Sequence, residues 1–404
     1  MSSQSTKGLP LHGVKVLDLS RVMAGPFCTQ ALGDLGADVI KVEHPVRGDD
    51  TRDWGQSTST TSTTYYNSIN RNKRSIAIDL KTEKGRQLTL ELAKKSDIVI
   101  HNFKHGGIER LGLGYEDIKK VNPRIIFCSI TGYNTTGPEA ERPGYDLVIQ
   151  GEAGLMAMNG EPGQGPLKFG VAIVDMFTGM FASQAILAAL YAREQTGEGR
   201  QIDMCLFDSG IMVQSYYGLE ALQSGRDPEK VGNDHPTVVP YGVFDTLDGP
   251  IVLAVGNNAQ FERFCHDVIQ RPDIGEHPDF KTNQLRSVNR DQLIPQLKQE
   301  LLKHRRADLL QRLHEAQIPC GEVLGMHEAL LSERSKQSEM VVRYDSDQGT
   351  DSYCLAPPYR INGQRMPIRF TPPELAQDTS AVLKEVLGLD AQSIEDLTQE
   401  RVIR

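Results

Sequence analysis

A single acid, Asp175, closes the apolar run Phe169-Gly170-Val171-Ala172-Ile173-Val174 and is followed by Met176-Phe177-Thr178-Gly179-Met180. The run reads as a buried strand that emerges at the acid. A carboxylate there can attack an activated acyl carbon, because at its ordinary pKa it is ionised at neutral pH and needs no base. The bland alternative is an N-cap, since Asp often opens a helix by accepting its first free N–H groups. A second group of residues is cationic: Asn70-Arg71-Asn72-Lys73-Arg74, with Lys81 a few positions on. The chain has 44 Lys and Arg against 53 Asp and Glu, a net charge of −9, so an anionic ligand would have to be met locally by such a cluster. The same cluster also reads as a solvated turn before a strand. General nucleic-acid binding does not fit this acidic balance.

These residues must be carried by alternating strands and helices. From Val14 to about Leu222, strands are expected at Val14–Asp18, Asp38–Glu43, Ser75–Leu80, Asp97–Ile100, Arg124–Ser129 and Gln201–Leu206. Helices are expected at Phe27–Leu35, Thr82–Lys95 and Thr178–Arg193. The pattern predicts an α/β fold with a mostly parallel sheet covered on both faces. The helix after Asp175 is apolar almost all round, which predicts a central position, and Thr196-Gly197 signals its end. After Gly225 the character changes. Strands near Val238–Phe244 and Ile251–Val255 flank a Gly249-Pro250 turn, and helices near Ala259–Ile269 and Asp291–Glu315 come next, as in a smaller α+β domain. The expected division is 1–224 with 331–404 for a large domain and 225–330 for a small one, with a closing helix at Thr379–Leu387.

At 404 residues, 39% hydrophobic and 24% charged, the composition is that of a globular chain of about two domains. The apolar runs fall short of a membrane span, and the first nine residues form a polar tail without a signal-peptide core. Six scattered cysteines (Cys28, Cys128, Cys205, Cys265, Cys320, Cys354) include no Cys-x-x-Cys pair. They suggest neither zinc nor a disulfide framework, and read as reduced thiols of a cytoplasmic protein.

Several segments, in order, resemble the class III CoA-transferases, the family of formyl-CoA:oxalate and succinyl-CoA:dicarboxylate CoA-transferases. They are Leu17-Asp18-Leu19-Ser20-Arg21-Val22-Met23-Ala24-Gly25-Pro26, Leu35-Gly36-Ala37-Asp38-Val39-Ile40-Lys41-Val42-Glu43, Asn70 to Ser75, Asn102-Phe103, Thr131-Gly132-Tyr133 with Thr136-Gly137-Pro138, Pro143-Gly144-Tyr145-Asp146, and Gly170 to Asp175. The likeness runs from Leu11 to the C-terminal helix. It implies a Rossmann-like large domain built from the N- and C-terminal parts, a smaller α+β domain, and an interlocked homodimer of ring-shaped subunits. It also implies an enzyme of acyl-CoA metabolism that moves coenzyme A from an acyl-CoA donor, succinyl-CoA-like, to a small dicarboxylic acid. The acid at Asp175 would attack the thioester, giving a mixed anhydride and CoA thiolate. The thiolate would return to the aspartyl carbonyl, and the acceptor carboxylate would reverse the steps. The CoA thioester is then a substrate, with no permanently bound cofactor and no metal.

Carried over position by position, Val22, Ile78, Lys81, Asn102, Phe103 and Arg110 line the CoA site. His44, Arg71, Lys73 and Arg74 stand where the family places contacts to CoA or nearby loop supports, and the phosphates of CoA call for such cations. Phe103 reads equally as a core aromatic, Lys81 as a solvated residue before a helix, and Asn102 as a cap of the turn after it.

Two departures bear on substrate. Met23 replaces the Gln of formyl-CoA:oxalate transferases, and Val255-Gly256-Asn257-Asn258 stands in place of their glycine run, whose N–H groups can hold the oxyanion. His235 would face the acceptor's second carboxylate or simply brace its loop. The rival on the same fold is an α-methylacyl-CoA racemase, which needs a His and an Asp on either side of one carbon. Tyr145 occupies the His position, and a phenol of pKa near 10 is a poor base. A nicotinamide-dependent dehydrogenase is disfavoured, because Arg21-Val22-Met23-Ala24-Gly25-Pro26 after the first strand has no Gly-x-Gly-x-x-Gly. A non-catalytic CoA-binding protein is the remaining alternative.

Overall fold

Val16, Leu17, Val39, Ile40, Ile98, Val99, Ile126 and Phe127 are all buried, as the strands of a parallel sheet covered on both faces must be. In the computed structural model, which describes residues 7–345 and 351–404, these residues belong to a six-stranded sheet. Its strands are β1 (Lys15–Asp18), β2 (Asp38–Glu43), β3 (Lys73–Ala77), β4 (Ile98–His101), β5 (Ile126–Thr131) and β6 (Arg200–Cys205). All pairings are parallel, in the order β3-β2-β1-β4-β5-β6. This is the doubly wound order, and ligands of such sheets bind beyond the carboxyl ends of the strands where the order reverses. Here that point lies between β1 and β4, whose chains leave the sheet at Leu19 and Asn102.

Three helices stand around that point: α1 (Ala24–Asp34), α2 (Asp146–Glu152) and α3 (Ile173–Thr196). Helix α3 ends where the sequence signals it, with Gly197 at φ 77° donating its N–H to the Arg193 carbonyl at 2.8 Å. Gly179 lets α3 press on α1, because a Cβ there would stand 2.6 Å from the Ala24 carbonyl oxygen. The expected strand over 169–174 does not form. The Phe169 N–H goes to the Gln150 side chain at 2.8 Å and the Val174 N–H to Asp146 at 2.8 Å, so side chains of α2 take the place of a strand partner. The helix begins at Ile173, and Asp175 lies in its first turn. A short apolar run does not by itself tell strand from helix.

Nor is α3 covered all round. Val174, Thr178, Ala182 and Ile186 are buried, but Phe177, Met180 and Tyr191 are exposed. By length and composition α3 could cross a bilayer, which the sequence runs did not suggest. It is nonetheless a helix of this fold, packed on α1, with Arg193 ion-paired to Asp97 at 3.0 Å.

The last part of the chain returns to the same sheet. The helix Thr379–Leu387 contributes Val382 and Leu383 to the core beside Leu17, Ile40 and Ile76, and Thr379 accepts the Ala77 N–H at 3.1 Å. Residues 402–404 then run along the end of β3. Ile403 forms an antiparallel bridge to Ile78, and the Val402 carbonyl accepts the Asp79 N–H at 2.8 Å. A further helix, Ala391–Gln399, was not evident in the sequence.

A second compact unit comprises Asp227–Ser332 together with Ala157–Leu167, a segment that the sequence places in the large domain. Its antiparallel sheet, β7 (Tyr241–Thr246), β8 (Gly249–Ala254) and β9 (Cys320–Glu322), packs on helices through Phe244, Ile251, Phe261, Leu297 and Leu313. The helix expected over Asp291–Glu315 is two, Arg290–Leu301 and Arg306–Glu315. Of the nine-residue polar tail, residues 1–6 lie outside the described residues.

Candidate active site

The loop from β1 to α1 is fixed by charge. Val22 takes φ 71°, an unfavourable value for a β-branched residue, and its N–H donates to both Asp49 oxygens at 3.2 Å. Asp49 pairs in turn with Lys41 at 2.9 Å, both side chains fully buried, and Lys41 also donates to the Ser20 carbonyl at 2.8 Å. The loop is tied across the crevice as well. The Arg21 N–H donates to Asn102 Oδ1 at 3.0 Å, and Asn102 Nδ2 donates back to the Arg21 carbonyl at 2.7 Å. Asn102 thus clamps the chain leaving β4 to the chain leaving β1.

Beside this clamp lies a cavity of about 130 Å³. Val22, Met23 and Ala24 line it from the uncapped start of α1, and Asp175 lines it from the first turn of α3. Gly132 and Gly144 meet at the cavity wall so closely that a Cβ on Gly132 would lie 2.5 Å from the Gly144 nitrogen. Asp175 is only 9% exposed, and its carboxylate accepts no hydrogen bond among the described residues. Burial, and then the negative charge of Asp146, push its carboxyl up to about 7. The expectation of a fully ionised acid at neutral pH is therefore corrected: burial and Asp146 both disfavour the ionised form there. The charge it carries above that pH has no partner and is correspondingly reactive.

A second cavity, of about 260 Å³, shares Arg21, Asn102 and Phe103 with the first. His44, Ile78 and Lys81 line it, as does Arg47, which no sequence motif singled out. His44 Nδ1 accepts the Val46 and Arg47 N–H groups at 3.1 and 3.3 Å. Lys81 and Arg47 are exposed and carry no ion pair among the described residues.

Other cations of the sequence cluster are used up inside the protein. Arg71 pairs with buried Asp34, and Lys73 is fully buried on Asp18 at 3.1 Å. Arg74 is held by Asp38 and by Glu385 at 2.8 Å. Of the two roles the resemblance gives them, contact to CoA or support of nearby loops, these pairs fit the support, because a cation already neutralised by an acid is not free for a phosphate. Arg110 is exposed but lines neither cavity. Met23 and Tyr145 line the Asp175 cavity. His235 lies in the second unit, where Nδ1 accepts the Thr237 and Val238 N–H groups at 3.1 Å, the bracing role. Gly256, in the place of the glycine run, has its N–H taken by Gln260 at 2.8 Å.

Two residues of the site, Lys104 and Asp146, did not stand out in the sequence. Lys104 comes directly after Asn102-Phe103, lines the Asp175 cavity and has no side-chain partner among the described residues. Arg21 and Arg142 line the same cavity but are paired, Arg21 with Asp50 at 3.2 Å and Arg142 with Glu139 at 2.8 Å and with Glu152. Asp146 was visible within Pro143-Gly144-Tyr145-Asp146, yet nothing in that motif says which backbone it serves.

The family model for CoA-transferase family III matches residues 11–379. The chain belongs to that family, and it is a CoA-transferase. Among family members, the human succinyl-CoA:glutarate CoA-transferase is 39% identical over 394 residues, 98% of this chain and 90% of the relative. The acetyl-CoA:oxalate CoA-transferase of Acetobacter aceti is 36% identical, over 95% of this chain and 97% of that protein. Among solved structures, a CAIB/BAIF family protein from Brucella suis superimposes with a TM-score of 0.83 at 40% identity, covering 94% of this chain and 99% of that one. CoA-transferases of this family act on CoA thioesters, so the reaction needs one site for a long carrier and one for a short acid.

Proposed function

We propose that the protein moves CoA from succinyl-CoA, or a similar acyl-CoA, to a small dicarboxylic acid through acyl-Asp175. The carrying observation is Asp175 itself, a buried carboxylate without a hydrogen-bond donor, facing a cavity that adjoins the larger one at Arg21, Asn102 and Phe103. The names of the relatives point to the same substrate classes.

In the reaction proposed, a carboxylate oxygen of Asp175 bonds to the acyl carbon, the carbon–sulfur bond breaks, and the charge leaves on the CoA thiolate. The thiolate then attacks the aspartyl carbonyl and the donor acid departs as its carboxylate. The acceptor carboxylate attacks this enzyme thioester, and the same steps run backward to acyl-CoA. No proton has to move. Oxyanions that form on the way would be met by the uncapped N–H groups at the start of α1.

CoA would occupy the larger cavity, with Arg47, Lys81 and His44 toward its phosphates and Phe103 beside its chain. Lys104 is the unpaired lysine on the smaller cavity and would take the acceptor's second carboxylate. A cytoplasmic location fits six cysteines that are all free thiols. A homodimer fits the exposed apolar residues Phe177, Met180 and Tyr191 on α3 and Tyr216 and Leu219 beyond it; sedimentation at micromolar concentration tests it.

The deciding experiment incubates the protein with a matrix of acyl-CoA donors and carboxylic acids and reads the CoA products by mass spectrometry. Hydroxylamine or borohydride trapping with donor alone should mark Asp175. Asp175→Ala should lower turnover by about a thousandfold or more with CoA affinity retained. Transfer at an undiminished rate by that variant, or a trap on another residue, overturns the reading.

A further inference from the structure

We propose that Asp146 is a positioning residue that promotes acylation of Asp175: it takes up the free N–H groups at the start of α3 and sets a second negative charge beside the nucleophile. The inference rests on the reading that Asp175 is acylated, and it concerns what makes that carboxylate reactive.

An aspartate in the first turn of a helix ordinarily has unpaired N–H groups and the positive end of the helix dipole to stabilise its charge. That stabilisation makes it a weaker base and a poorer nucleophile. Here the donors are occupied. Asp146 Oδ1 accepts the Val174 N–H at 2.8 Å and the Asp175 N–H at 3.3 Å. Its other oxygen accepts Gln150 Nε2 at 2.6 Å. Gln150 in turn accepts the Phe169 N–H at 2.8 Å, so two side chains of α2 hold the chain on both sides of 170–173. The one carboxylate therefore fixes the start of α3 and leaves the Asp175 oxygens without a donor.

The charge balance of the step gives this arrangement its effect. Before attack, the buried Asp175 carboxylate stands close to the half-buried carboxylate of Asp146. When the Asp175 oxygen bonds to the acyl carbon and the carbon–sulfur bond breaks, the negative charge moves to the departing sulfur, and acyl-Asp175 is neutral. The repulsion exists before the step and is absent after it, so it favours the acylated form over the free carboxylate. The remaining charged or titratable groups around Asp175 are Tyr65, whose phenol burial and Asp175 push up to about 12, and the cavity residues Arg21, Lys104, His105, Glu141, Arg142 and Tyr145. Arg21 and Arg142 already have acidic partners. None of these shares the hydrogen bonds that join Asp146 to the nucleophile's own backbone.

Asp146→Asn keeps an oxygen to accept the two N–H groups and removes the charge. Two measurements on the full-length protein test it: a ¹³C NMR titration of the Asp175 carboxyl, assigned by its loss in Asp175→Ala, and the rate of acylation by succinyl-CoA at pH 8. The variant should titrate lower by about one unit and acylate up to roughly tenfold more slowly, with CoA affinity unchanged and stability above pH 7 not reduced. Slower acylation with an unmoved titration would mean a purely structural role and overturns the proposal, as does a wild-type rate. Should Asp146→Asn not fold, Asp146→Ser offers the same acceptor without the charge, with the same expected results. If no donor acylates the wild-type protein, the functional reading fails instead, and the titration alone still decides the effect of Asp146 on Asp175.

Discussion

Asp18, at the end of β1, and Asp175, at the start of α3, are both buried, and they differ in everything around them. Asp18 accepts the Ser20 N–H at 2.9 Å, the Thr29 hydroxyl at 2.5 Å and Lys73 Nζ at 3.1 Å, with Lys41 nearby. Burial works to raise its carboxyl, but Lys73, Lys41 and the two hydroxyls hold it below its ordinary value. Asp175 has no donor and a like charge beside it, and it rises to about 7. Depth is common to both, so depth does not decide what a buried acid does; the partners do. One acid holds the sheet to α1 and Asn70, and the other has no donor among the described residues.

Three substitutions probe this contrast. The largest change in stability is expected from Asp18→Asn, which leaves the fully buried Lys73 without its counter-charge. It should cost about 3–5 kcal/mol, read by urea or thermal unfolding at pH 7.5. Because the Asp18 carboxyl is lowered in the folded state, its contribution is present above the unfolded value of 3.8 and is lost as pH falls through the folded one. An Asn variant as stable as wild type would show that the pair is worth nothing.

Asp175→Asn should act with the opposite sign. The folded carboxyl lies near 7 against 3.8 unfolded, so the folded state binds the extra proton between those values and stability falls as pH rises through them. Removing the charge should therefore stabilise the protein by up to a few kcal/mol above pH 7 and by nothing below about pH 4. Melting temperatures of the two proteins across that range check it, and a constant difference refutes it.

The third and smallest effect concerns a lysine with no partner, in contrast to Lys73. Lys104→Met should raise KM for a dicarboxylic acceptor about tenfold and leave kcat, CoA affinity and stability near wild type. An equal loss with a monocarboxylic acceptor would place Lys104 on the carrier instead.

The parallel sheet is legible in the sequence, because Val, Ile and Leu in short runs between amphipathic segments have few other arrangements. The end signal at Gly197 also stands in the structure as read, and the helix expected from Thr82 opens with Thr82 Oγ1 accepting the Gly85 N–H at 3.0 Å. The start of α3 is not legible, because its backbone is satisfied by α2, a contact that local pattern does not encode. Arg71, Lys73 and Arg74 look like ligand cations for the same reason. Their acidic partners Asp34, Asp18 and Asp38 lie more than thirty positions away in sequence, and only the folded sheet brings them together. The pKa of Asp175 is equally beyond reach, since residue type gives only the ordinary value.

The clasp of residues 402–404 along Ile78 has a practical side. Ile78 is a wall of the larger cavity, and the Arg404 guanidinium reaches the Pro45 carbonyl at 3.5 Å, next to His44. A change to residues 402–404 would therefore be felt first in the wall of that cavity, where the carrier is proposed to bind, and only later as unfolding.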